Sequence, residues 1–285
     1  MNTLVGHVAL VLRYPVKSTL GEPVATGAVT ERGLAGDRTH AVLDTTTGLV
    51  ASAKNPRLWQ GLLAMSSRAT DAAPGASVSI TLRDGTVISS SDPSVDDVLS
   101  REFHRPVTLV AQRPAGATIE RAVPEAILDA GADAEVPLIE VTLGAQAPGA
   151  SFVDYAPLHL ITTGTLDRLG ALSPNGELAA TRYRPNIVVE TTATGFVENH
   201  WVDAVLEIGD AVLLRVVLPT PRCAVPGLAH GDLPRNPDAV RTPFQHNRLV
   251  ALEEGDTGCA GVYAQVLQAG TIRHGDPVRL RGPSS

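Results

Sequence analysis

The chain has 285 residues, 44% of them hydrophobic, with 30 Asp and Glu against 23 Lys and Arg and a formal net charge of −7. That is enough apolar material for a full core and enough length for two domains. An acidic chain with interspersed signs lacks the basic footprint of a nucleic-acid binder, which leaves only a local basic pocket for a small anion.

In chain order, the first 110 residues predict short strands at 4–13, 24–31, 38–44, 78–82 and 86–89, each bounded by Gly, Asp-Gly or Pro. Arg83-Asp84-Gly85-Thr86 is the plainest hairpin signal. Ser94 with Asp97 resembles a capping box and predicts a helix over 95–103. Residues 111–135 are rich in Ala, Pro, Gly and acidic groups without a sustained period, which reads as a linker. In the second block, 136–285, Thr162 or Thr163 caps a helix through Leu172 with Leu166, Leu169 and Leu172 as its apolar stripe. Strands follow at 187–190, 205–208, 212–218, 262–267 and 277–280. The reading is mostly β with some α, with neither βαβ alternation nor a phosphate-type glycine loop after a strand.

No apolar run reaches the roughly 18 residues of a membrane helix. The apolar start at 4–12 has no basic flank or cleavage site, so a cytoplasmic location without a membrane span is expected. The basic residues are skewed, 21 Arg against two Lys, Lys17 and Lys54. Where this chain needs only positive charge it uses Arg, so Lys17 suggests a place where a compact ammonium fits and a planar fork does not. The two cysteines, Cys223 and Cys259, make no disulfide framework. Cys223 stands between Arg222 and a proline-rich turn, beside a guanidinium that favours the thiolate, the form that is nucleophilic and binds metals. Free cysteine also packs as a small hydrophobe, the expectation for Cys259.

Four polar clusters sit at predicted strand ends: Tyr14-Pro15-Val16-Lys17-Ser18, Gly33-Leu34-Ala35-Gly36-Asp37-Arg38, Thr181-Arg182-Tyr183-Arg184-Pro185-Asn186 and Pro221-Arg222-Cys223. All are of types that bind anions or metals. Together with Asn55-Pro56-Arg57-Leu58, Asp154 and Pro157-Leu158, Trp201, Ile208-Gly209-Asp210 and the tail from Gly270 to Val278, the ordered set resembles the MOSC family, the molybdenum-cofactor sulfurase C-terminal domain proteins. It is most similar to two-part members like the mitochondrial amidoxime-reducing component. The resemblance implies a MOSC-type β-barrel preceded by a β-rich MOSC-associated domain.

What the resemblance implies for the site follows position by position. Cys223 is the expected ligand to molybdenum, a thiolate suited to a metal already held by the dithiolene sulfurs of its pterin. Lys17, Ser18, Arg38, Arg184 and Asn186 are the expected contacts to the pterin and its phosphate. Asp154, Tyr155, Ala156 and Tyr263 fall on segments that line the pterin, and Pro221 and Arg222 flank the ligand. Forked arginines and a lysine suit a phosphate dianion, while an amide and a carboxylate suit a pterin edge.

The chain departs from the family where Thr39-His40 follows Asp-Arg, and where residues 224–234 replace the usual segment after Arg-Cys. His230 and His246 are either proton donors to the pocket or ordinary loop histidines. The sequence has no Cys₄ spacing for an iron–sulfur cluster and no dinucleotide fingerprint. The expectation is therefore a molybdenum-cofactor-dependent reductase of small N-hydroxylated substrates, supplied by an external electron-transfer protein and a flavin reductase. The rival is a sulfur carrier or cofactor-delivery protein with a persulfide on Cys223.

Overall fold

The computed structural model describes residues 2–71, 75–149, 151–252 and 255–281. Seven strands close into a barrel. Around it run Leu158–Thr162, Ile187–Glu190, Thr3–Arg13, Pro277–Leu280, Val205–Ile208, Val212–Pro221 and Asp256–Gln268, which pairs back to Leu158–Thr162. All neighbours are antiparallel except Leu158–Thr162 with Ile187–Glu190. Parallel neighbours need a crossover, and the helix Thr163–Leu172 begins it. Thr162 caps that helix, its hydroxyl accepting from the Thr165 amide at 3.0 Å.

The barrel core follows from period-two alternation. Leu158 and Leu160, Ile187 and Val189, Leu206 and Ile208, Leu214 and Val216, and Val262 and Ala264 are buried in one cluster. The first strand of the chain belongs to this barrel, pairing with Ile187–Glu190 and Pro277–Leu280. A break between N- and C-terminal halves at the middle of the chain therefore leaves Thr3–Arg13 on the far side from its partners.

A second core gathers Trp59, Leu62, Met65, Ile80 and Leu99 under the sheet Ser66–Ala69, Val78–Thr81 and Val87–Ser89 and the helix Val95–Phe103. The Asp-Gly hairpin forms where expected, with Gly85 at φ +87°. The capping box does not. Ser94 makes no side-chain cap bond; its amide and hydroxyl both donate to Asp92 Oδ1, so the hydroxyl turns back into the preceding turn.

Residues 111–135 are folded and do not form the expected linker. Thr118–Ala122 pairs with Leu138–Thr142, and Pro124 opens the helix Pro124–Ala130. Ala117, Ile119, Ala122, Pro124 and Ile127 carry the apolar burial there, a set split between a short strand and a short helix that shows no sustained period.

Candidate cofactor site

The site lies in one cleft where turns of the N-terminal half meet ends of barrel strands, lined by ten of the expected residues: Lys17, Ser18, Arg38, Asp154, Ala156, Arg184, Asn186, Arg222, Cys223 and Tyr263. Ser18, Arg38 and Arg184 adopt φ of +66°, +47° and +56°. Left-handed backbone is uncommon without glycine and clusters at functional sites.

Proline sets the first turn. The strand Thr3–Arg13 ends at Tyr14-Pro15, and the next residues hang from the Asp37 turn: the Tyr14 amide donates to Asp37 Oδ1 at 2.7 Å and the Arg38 amide to the Tyr14 carbonyl at 2.7 Å. Arg38 and Arg184 both lie over the Tyr14 ring, at 4.9 and 4.4 Å. Buried among them, Tyr14 has its phenol pushed up to about 12, burial outweighing the two cations.

Lys17, only 4% exposed, donates to the Phe152 carbonyl at 2.9 Å and to Asp154 Oδ1 at 2.5 Å. Burial pushes it down to about 8 against the pull of Asp154. Lys54 forms an ion pair with the other oxygen, Oδ2, at 3.1 Å. Burial works to raise Asp154, but Lys17 and Lys54 hold it well below the usual carboxylate range. Both lysines of the chain thus converge on one carboxylate.

Six cations line the cleft: Lys17, Lys54, Arg38, Arg182, Arg184 and Arg222. Asp154 and, behind Arg38, Asp37 oppose them. Arg182 is spent on three backbone carbonyls, those of Pro226, Leu228 and Pro234. Arg184 and Arg222 are not spent. Arg184 Nη1 donates to the Thr19 carbonyl and Arg222 Nη1 to the Tyr183 carbonyl, whereas Arg184 Nη2 and Arg222 Nε are buried with no partner among the described residues. A buried donor without an acceptor costs free energy, so these atoms mark where a ligand's acceptors belong. Burial, with Arg38 next, pushes Arg184 down to about 10, and an anion would relieve that cost.

Cys223 is half-buried with a free thiol. The Arg222 amide donates to the Gly258 carbonyl at 2.9 Å and anchors the turn at the end of the strand Val212–Pro221. Among the described residues, no group of three or more His, Cys, Asp or Glu gathers to hold a metal. A metal at Cys223 must bring its other ligands with it. The fit to a molybdenum bound by pterin sulfurs is therefore chemical: one thiolate, a surplus of cations and two unpaired guanidinium donors.

The chain matches the MOSC N-terminal beta barrel domain over residues 5–89 and the MOSC domain over residues 148–279. It is a two-part MOSC protein. No curated protein matches it. Among solved structures it is similar to the YUAD protein from Bacillus subtilis, at 9% identity and a TM-score of 0.48 with all of both chains covered. It is also similar to YiiM from Geobacillus stearothermophilus, at 19% identity and a TM-score of 0.32 over 45% of this chain and 55% of that one. MOSC domains are associated with molybdenum-cofactor binding, and that association rests here on the domain matches.

Two expected residues of this MOSC protein, Tyr155 and Pro221, do not line the cleft. Tyr155 packs its ring 5.7 Å from that of Tyr263, and Pro221 ends the strand that delivers Arg222. Asn186 lines the cleft with its amide already engaged: Nδ2 donates to the Leu12 carbonyl at 3.3 Å, and Oδ1 accepts from the His159 amide at 3.2 Å. Cys259 is fully buried in its strand, its thiol pushed up to about 11 by burial. His246 is exposed at the end of the helix Asp238–His246. His230 is buried, with Nδ1 3.0 Å from the Leu228 carbonyl and Nε2 without a partner among the described residues. It does not line the cleft.

Sequence reasoning missed Lys54 and His159 as cleft residues, and placed Arg182 in a polar cluster without giving it a role of its own. Lys54 had a signal, its rarity as one of two lysines. His159 had none, because a histidine inside an apolar strand looks like core. Its ring lies 5.9 Å from Tyr263, and burial, then Arg222, hold it well below the ordinary histidine value.

Proposed function

We propose that this MOSC protein is a molybdenum-cofactor-dependent reductase of N-hydroxylated small molecules, with electrons delivered by a separate one-electron carrier and its flavin reductase. The observation that carries the reading is the half-buried Cys223 thiol in a cleft where Arg184 and Arg222 keep buried, unpaired donors. The bound cofactor would supply the two-electron redox chemistry at the N–O bond. Cys223 would ligate the metal as thiolate. Arg184 and Arg222 would take phosphate oxygens through the unpaired nitrogens, as charge-assisted hydrogen bonds. Arg38, held by Asp37 and reaching the Arg184 carbonyl at 3.2 Å, would brace the turn that carries Arg184. Asp154, kept ionised by two lysines, would accept hydrogen bonds from pterin N–H groups.

The reaction balances as R–NH–OH plus two electrons and two protons giving R–NH₂ and water. Metal analysis after expression in cells able to make the cofactor is the test. About one molybdenum per chain, with reduction of a hydroxylamine by reduced viologen, supports the reading. Protein free of molybdenum but carrying a cyanide-labile sulfur on Cys223 would replace it with the sulfur-carrier reading.

A further inference from the structure

The strand Leu138–Thr142 has one strand partner among the described residues and an open edge. It pairs with Thr118–Ala122. That partner is covered on its far side by the segment before the helix Pro56–Trp59: the Val50 amide donates to the Thr118 carbonyl at 3.0 Å and the Ala122 amide to the Lys54 carbonyl at 2.9 Å. The bonds at either end of Leu138–Thr142 fix its alternation. The Val123 amide donates to the Pro137 carbonyl at 3.4 Å, and the Leu143 amide to the Ala117 carbonyl at 3.0 Å. Odd-numbered residues therefore face the partner, and Leu138, Glu140 and Thr142 turn their backbone N–H and C=O groups the other way. All three are exposed, and no backbone group meets them among the described residues. Such an edge is a template for another strand.

Charge and shape say what fits the edge. Residues 120–140 hold six acids, Glu120, Glu125, Asp129, Asp133, Glu135 and Glu140, against one base, the buried Arg121. Glu120 and Glu140 stand directly opposite each other across the two strands. Their carboxylates accept from neutral donors, Asn55 Nδ2 at 2.7 Å and Thr118 Oγ1 at 2.5 Å. Like charges at opposed positions destabilise a sheet, and a cation brought to the pair relieves them. Beside the pair runs a groove lined by Leu58, Ile127, Val136 and Leu138 together with Glu120 and Glu135. Apolar walls with carboxylates among them match the aliphatic stem and charged head of a lysine or arginine. On the opposite face of the strand, Ile139 is 43% exposed.

We propose that the edge Leu138–Thr142 receives an extended segment of a partner protein in which lysine or arginine alternates with apolar residues. The segment adds to the sheet through its backbone. Its basic side chains fall on the face of Glu120 and Glu140, with their stems along Leu138, and its apolar ones lie beside Ile139. Charge decides the occupant. A second copy of this chain brings the same acids against Glu140, and nucleic acid or an anionic lipid surface is repelled. The occupied face backs onto the cleft: Ile127 lines the groove and shares a buried cluster with Ala122 and Ala224, the residue after Cys223. The inference does not depend on the cofactor chemistry.

Fluorescence anisotropy of short labelled peptides on the whole chain is the test. A peptide alternating Lys and Val is expected to bind, more weakly as salt is added, and one alternating Glu and Val is not. A fully N-methylated Lys-Val peptide keeps its charge but has no backbone donors, and should bind about tenfold more weakly or worse. Glu140→Lys should weaken the Lys-Val peptide about tenfold or more, the factor carried by one hydrogen bond to a charged group. Thr142→Pro removes an outward N–H, keeps every acid and should weaken it as well. Glu140→Gln serves if the lysine variant unfolds, and the N-methylated peptide carries the backbone test if the proline variant does, with urea midpoints reporting the fold. No binding of the Lys-Val peptide at millimolar concentration overturns the inference. Equal affinity for the Glu-Val or the N-methylated peptide does so too, as does unchanged affinity in a folded Glu140 or Thr142 variant. A wild-type dimer that Thr142→Pro dissociates also overturns it, because a second copy would then hold the edge. None of these measurements needs molybdenum, so the reductase reading stands or falls apart from them.

Discussion

The Lys17 ammonium meets the Asp154 carboxylate at 2.5 Å, joining residues 137 positions apart. The lysine is almost wholly buried and the carboxylate keeps 33% of its side-chain surface toward the cleft. This pair ties the N-terminal turn to the segment that opens the MOSC barrel, and its removal has a calculable cost.

Asp154→Asn leaves Lys17 buried with its main counter-charge gone and Lys54 without its ion pair. Breaking a buried pair from one side costs about 3–5 kcal/mol, and the partial exposure of Asp154 places this one at about 2–4 kcal/mol. Urea unfolding at pH 7 measures it. A loss below about 0.5 kcal/mol would mean the ammonium is solvated after all.

Lys17 also makes stability depend on alkaline pH. Its folded value is about 8, below the roughly 10.4 of an unfolded lysine, so between these values the unfolded chain binds more protons and stability rises with pH. Wild type is therefore expected to gain stability relative to Lys17→Met as pH rises from about 8 to about 10. Unfolding free energies of both proteins at pH 7.5 and 9.5 give the comparison, and parallel curves would refute the assignment.

His230 acts at the acid end. Burial, reinforced by Arg184 and Arg182 and opposed by the Leu228 bond, pushes it down to about 4. Between about 4 and the unfolded value of about 6.5, the unfolded chain binds the proton and the fold does not, so stability falls as pH drops through that window. His230→Asn should flatten this part of the profile relative to wild type, measured by thermal unfolding at pH 7, 5.5 and 4.5. Identical slopes would show that His230 protonates freely in the fold.

Cys223→Ala is expected to abolish the proposed reductase turnover while leaving the unfolding free energy within about 1 kcal/mol of wild type, because the side chain is a free, half-buried thiol. Cofactor content should fall only in part, since the phosphate contacts remain. Full turnover in the alanine variant would remove Cys223 from the chemistry.

Gly261 sets the barrel wall beside the cleft. At φ +78°, a Cβ there would stand 2.4 Å from both the Leu160 carbonyl oxygen and His159 Nε2. Gly261→Ala therefore adds left-handed strain of about 1–3 kcal/mol to a clash with backbone, and should lower the melting temperature and displace His159 from Tyr263. A variant as stable as wild type would show the strand has slack.

Much of this protein was legible in local sequence. Strands 187–190, 205–208 and 277–280 and the helix 95–103 appear at the expected bounds, because alternation and punctuation by Gly, Asp and Pro act over a few residues. The Asp-Gly hairpin and the Thr162 cap are equally local. The helix Asp238–His246 escaped, with Pro243 inside it and no capping side-chain bond. Residues 111–135 escaped because their buried side chains are split between a short strand and a short helix and show no sustained period.

The sequence by itself determined the basic turns, the lone thiol at Cys223 and the residues of the family pattern, since those are matters of residue type and order. Tertiary structure alone decided their use. It spent Arg182 and the Asn186 amide on internal hydrogen bonds, left Arg184 Nη2 and Arg222 Nε unpaired among the described residues, and brought Lys54 and Lys17 onto one carboxylate. It also drew Thr3–Arg13 into a barrel with strands from the other end of the chain. The physical reason is the range of the forces. Turn and strand preferences are written in neighbouring residues, whereas an ion pair or a buried donor depends on distance, geometry and local dielectric, which exist only once segments far apart in sequence have packed together.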